Sequence, residues 1–84
     1  MKELLIKVRD YIPVEPCFFG MCGSAFEMAD KFMISSDEYN LLMKYFKDNK
    51  PKKENLDEDE HGYWWEVKSK EPRIEWLNEQ INSL

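Results

Sequence analysis

The sequence predicts a mostly α fold: a small single-domain helical bundle of about four helices, with a short extended aromatic arm before the last one. Three observations carry this. Apolar residues recur three and four apart through residues 2–12, 20–33, 36–48 and 72–83, the repeat of one helical face. Helix-ending residues fall between those stretches, with prolines at positions 13, 16 and 51. The chain is 84 residues long and 43% apolar, with five Phe, four Tyr and three Trp. That suffices for one folded domain, although a chain this short buries only ~60–65% of its unfolded surface.

In residues 2–12, Leu4, Leu5, Val8, Tyr11 and Ile12 share one broad face. Pro13 and Pro16 end that helix and make a stiff link. In the second stretch, Cys22, Phe26, Ala29 and Met33 form one stripe, and Ala25, Met28 and Phe32 the adjacent one. So wide an apolar face predicts a central helix touching two neighbours. Ser35 and Glu38 have capping-box spacing, so a helix begins at Ser36. It buries some of Tyr39, Leu42, Met43, Tyr45 and Phe46. Asn49 can end it in a left-handed conformation, and Pro51 prevents its extension. Residues 50–61 read as a charged loop in which Leu56 is the one apolar residue.

Residues 62–68 alternate, so in an extended arm Tyr63, Trp65 and Val67 share one side and Trp64, Glu66 and Lys68 the other. In the last helix, Ile74, Leu77, Ile81 and Leu84 form the apolar face, with Pro72 in the first turn and Ser69 or Glu71 as the cap. Trp76 lies on the flank of that face, either packed on another element or meeting a partner.

A Lys50-Pro51 pair after a helix, a polar gap, Tyr63-Trp64-Trp65, and then Glu71-Pro72-Arg73-Ile74, Trp76-Leu77 and Ile81 make a C-terminal pattern. It resembles the ends of small uncharacterised phage and prophage proteins. The Gly20-Met21-Cys22 turn is similar to a Gly-Leu-Cys in such proteins. The likeness covers about half the chain. It implies a phage-type context and brings neither an activity nor functional residues with it.

Charge is uneven. Residues 1–53 hold nine Lys/Arg and eight Asp/Glu; residues 54–84 hold three and nine, within a total of −5. An acidic C-terminal half argues against a nucleic-acid backbone as ligand, which needs clustered cations. It suits docking on a basic protein surface. Residues 1–14 are broken by Lys7, Arg9 and Asp10, and no apolar run approaches the ~18 residues of a membrane span. The expectation is a cytoplasmic chain with no membrane association.

Chemistry-bearing constellations are weak. Cys17, Cys22 and His61 give at most three soft ligands without a tight Cys pair, short of a structural zinc, so the thiols read as core residues. Asp57, Asp59, His61 and Gly62 mimic the opening of a calcium loop. His61 replaces an oxygen ligand, however, and Lys68 stands where a bidentate Glu is required. With one His and no nucleophile motif, no catalytic residue, metal or cofactor is expected. Ser24, Ser35, Ser36 and Ser69 read as caps or surface.

The expected function is therefore a non-enzymatic protein-binding module. It is a phage-type accessory protein that modulates or inhibits a host protein or defence complex. Its contact residues are Trp64, Trp76, Glu66, Asp57, Glu58, Asp59 and Glu60, because Trp is enriched at interface hot spots and carboxylates steer association. Trp65 instead pins the arm to the helices. Two alternatives stand beside this. One is a nucleic-acid-associated factor using Lys44, Lys47, Lys50, Lys52 and Lys53; the other is a self-assembling structural subunit, a homo-oligomer.

Overall fold

The computed structural model describes residues 1–16, 20–49 and 70–84. The expected loop 50–61 and arm 62–68 lie outside the described residues. Among the described residues four α-helices form a small bundle: α1 (Lys2–Tyr11), α2 (Met21–Asp30), α3 (Ser36–Asp48) and α4 (Lys70–Ser83). A 3-10 turn, Ile12–Val14, continues α1, with Pro13 inside it. Among the described residues there is no strand.

The hub is α1. It packs most extensively on α4 and also touches α2 and α3, while α2 packs on α3. Its expected face is buried in full: Leu4, Leu5, Val8, Tyr11 and Ile12. Met21, Ala25 and Met28 of α2, Leu42 and Phe46 of α3, and Trp76, Leu77 and Ile81 of α4 complete the core, joined by Ile34.

The start of α3 is as its sequence spacing predicts. Ser35 Oγ accepts from the Glu38 N–H at 3.1 Å, and Glu38 Oε1 accepts from the Ser35 N–H at 2.8 Å. That bond to the Ser35 backbone, reinforced by Lys7, holds the Glu38 carboxyl below its ordinary range against the opposing pull of desolvation. The end of α3 differs from expectation. Asn49 has φ −120°, not a left-handed conformation, and its side-chain amide donates to the Tyr45 carbonyl at 3.0 Å.

The apolar faces of α2 and α4 also differ. Phe26, Phe32 and Met33 are exposed, and α2 stops at Asp30. In α4, Ile74 is half-buried and Leu84 exposed, whereas Arg73 and Trp76 are buried. The buried face of α4 is therefore rotated toward Arg73, Trp76, Leu77 and Ile81. The cause is polar. Glu15, Ser24 and Arg73 are all buried. Ser24 Oγ accepts from Arg73 Nη1 at 2.7 Å and donates to Glu15 Oε2 at 2.7 Å, while Arg73 Nη2 bonds Glu15 Oε1 at 2.5 Å. This ring fastens α4 to the link after α1 and to α2. Ser24 is thus neither a cap nor a surface residue.

Further polar bonds hold α4 in place. Arg9 donates to Asn78 at 3.1 Å, Lys70 to the Pro13 carbonyl at 3.1 Å, and the Tyr45 hydroxyl to Gln80 at 2.8 Å.

Candidate functional site

The site that stands out lies where α2 ends. The chain must reverse within a few residues to put Ile34 in the core and leave Ser35 as the cap of α3. It does so by a Schellman turn. The Phe32 N–H donates to the Ala29 carbonyl at 3.1 Å, and the Met33 N–H to the Met28 carbonyl at 2.9 Å. Such a turn needs a left-handed residue at its corner, a position usually held by glycine. Here it is Phe32, at φ 61°. The left-handed region costs a residue with a Cβ roughly 1–2 kcal/mol. Nor is the ring compensated by burial, for Phe32 is 93% exposed.

Beside Phe32 is a pocket of about 310 Å³, lined by Lys7, Asp10, Tyr11, Val14, Met28 and Met33. Met28 and Met33 bracket the Schellman turn, so the turn that raises Phe32 also builds one wall of the pocket. Val14 and Met33 are exposed at its edge. Two flexible thioethers make a lining that can adapt to the shape of an incoming group. Lys7 and Asp10, three apart on α1, set one charge of each sign on the opposite rim.

The Tyr11 wall is braced from α2. The Tyr11 hydroxyl donates to Glu27 Oε1 at 2.7 Å, and Lys31 pairs with the same carboxylate at 2.9 Å. Burial and the bond to Glu27 push the Tyr11 hydroxyl up from its ordinary pKa. Lys31, and then Tyr11, hold the Glu27 carboxyl below the usual range, and Glu27, and then Tyr11, raise Lys31. The ring of Tyr11 is therefore fixed, whereas the methionine side is adaptable.

The residues expected from the sequence fall elsewhere. Trp76 is only 8% exposed and packs edge-on against Tyr45 and Phe46, with ring centroids 6.3 and 6.1 Å apart. It belongs to the core and offers no exposed anchor to a partner. The rotation of α4 that seats Arg73 turns Trp76 inward as well. Trp64, Glu66, Asp57, Glu58, Asp59 and Glu60 lie outside the described residues. Of the basic segment, Lys44 pairs with Asp48 at 3.1 Å and Lys47 is exposed, while Lys50, Lys52 and Lys53 lie outside the described residues. Cys22 is half-buried on α2; Cys17 and His61 are not among the described residues. No group of three metal-ligating side chains occurs among the described residues. No helix among them is long and apolar enough to cross a membrane.

In the sequence Phe32 is indistinguishable from a core residue, because its spacing from Ala25 and Met28 fits the helical stripe. Only the position of Ser35 hinted that α2 must end early enough for a turn.

No family model matches the chain, and no curated protein or solved structure does so either.

The strain at Phe32 has a measurable consequence. Phe32→Gly should raise stability by about 1 kcal/mol, which in a domain of this size moves the melting temperature up by roughly 4–8 °C. The gain from relieving the left-handed residue exceeds the added flexibility of the unfolded chain. Thermal unfolding by circular dichroism checks this. A lower melting temperature would mean that the ring stabilises the fold.

Proposed function

We propose that the protein is a non-enzymatic protein-binding module that docks through Phe32 and the adjoining methionine-lined pocket. The observation that carries this reading is Phe32 itself, an aromatic side chain held in a left-handed turn and given to solvent. A residue that raises the energy of the fold and buries almost nothing within it has its use outside the fold. Exposed aromatics are the side chains that anchor interfaces, filling a pocket on the partner while neighbouring contacts exclude water.

The C-terminal likeness to phage and prophage proteins favours a host protein or defence complex as the partner, and the protein would modulate or inhibit it. The acidic segment with Asp57, Glu58, Asp59 and Glu60, together with Trp64 and Glu66, would add electrostatic steering and a second aromatic contact. Trp76 has no part in this surface.

The test is capture of partners from the source cell by the immobilised chain, followed by binding kinetics with whatever protein is recovered. Phe32→Ala should raise the off-rate at least tenfold, about 1.4 kcal/mol, with little change in on-rate. Neutralising the four carboxylates at 57–60 should instead slow association and flatten its salt dependence. A recovered partner that binds Phe32→Ala as tightly as wild type would place the contact elsewhere.

A further inference from the structure

The docking surface has two halves, an exposed aromatic and an apolar hole, and both belong to one chain. We infer that this surface is self-complementary and that the protein forms a two-fold symmetric dimer, Phe32 of each copy entering the pocket of the other. The inference rests on the docking reading above: a second copy of the chain occupies the Phe32 surface, and a host protein docking there would displace it.

Three features select this occupant. The first is the arrangement of knob and hole. Phe32 precedes Met33, which lines the pocket, but is not itself part of the lining. The ring stands beside its own hole and outside it, as an isologous interface requires: residue i of one copy meets residue j of the other, and j meets i. The second is size. At about 310 Å³ the pocket sits at the small end of the range for ligand sites and has ample room for one large side chain. A lone phenyl ring is such a group, and the exposed side chains of Val14 and Met33 are what it would contact, over the buried Met28 and Tyr11.

The third is charge. The rim carries Lys7 and Asp10, one of each sign. A two-fold axis passing between the two would set Lys7 of one copy against Asp10 of the other, twice, adding to the Arg9–Asp10 pair already present at 3.2 Å within each chain. Neither charge then faces its like. An anionic or cationic partner would find one rim residue attractive and the other repulsive.

Sedimentation velocity over a concentration series decides this with the full chain. Wild type should pass from monomer to dimer with rising concentration. Phe32→Ala should weaken the dimer at least tenfold while circular dichroism shows the same helical content. Met33→Arg, which closes the pocket, should do the same. The rim provides a sharper arm. Lys7→Glu alone and Asp10→Lys alone should each be poorer dimers than wild type, whereas an equimolar mixture of the two should form heterodimers, since every facing pair is then of opposite sign.

A chain that stays monomeric at millimolar concentration overturns the inference, as does a dimer indifferent to Phe32→Ala or single rim variants that do not recover on mixing. The docking reading fails separately. A monomeric chain that still captures another protein through Phe32 removes the dimer and leaves that reading standing. If no association of any kind depends on Phe32, both fall.

Discussion

Arg73→Ala should unfold the protein or leave it barely folded at 25 °C. Arg73 is fully buried and donates to both Ser24 and Glu15. Truncating it leaves a carboxylate in the core without its counter-charge, and breaking a buried pair in this way costs about 3–5 kcal/mol. Domains of this size have only about 0.05–0.15 kcal/mol of stability per residue, so the loss takes most of what there is. The variant also forfeits the tie between α4 and the α1–α2 link, so α4 should be the element that loosens first. Hydrogen exchange along α4 would show it.

The ring is not itself a large source of stability, because desolvating a carboxylate and a guanidinium offsets their attraction. Replacing Glu15, Ser24 and Arg73 together by Leu, Ala and Met should therefore recover most of the stability lost in Arg73→Ala. What the charged ring supplies is a single register for α4, since only Arg73 on that helix can complete it. Denaturant titration of the single and triple variants checks both statements. A single variant as stable as wild type would show that Glu15 finds another partner.

Trp76→Ala should be nearly as damaging, at about 3–5 kcal/mol, the usual range for a buried large aromatic. The indole closes the bundle between α4 and α3, edge-on to Tyr45 and Phe46. Its removal opens a cavity that neither ring can fill without leaving the other. Trp76→Phe keeps part of the contact and should lose less than half as much. The distinction matters for function. Any loss of partner binding in Trp76→Ala should track its unfolding and should be absent in Trp76→Phe, because Trp76 is core. Melting curves taken beside binding measurements separate the two causes. A folded Trp76→Ala that binds no partner would return Trp76 to the interface.

How much of this was legible in the sequence depended on whether the deciding interaction was local. The face of α1 and the capping box at Ser35 and Glu38 are set by neighbours a few residues apart, and they could be read directly. The buried ring joins residues 15, 24 and 73, which no periodicity connects. A rule that counts only apolar residues assigns Arg73 to the surface, and with it misplaces Trp76 one turn later. The end of α2 is a similar case. Phe32 fits an apolar stripe, but the backbone reverses there to deliver Ile34 and Ser35. A tertiary demand overrides the local pattern, and the aromatic is left outside.

The most direct measurement of the central claim is the melting temperature and the association of Phe32→Gly taken on the same sample. Opposite movements are expected: a fold more stable than wild type when both are melted at a dilution that keeps them monomeric, and docking weakened at least tenfold whether the partner is a second copy or another protein. A variant that melts lower than wild type yet associates as strongly would contradict it, because Phe32 would then serve the fold and not the contact.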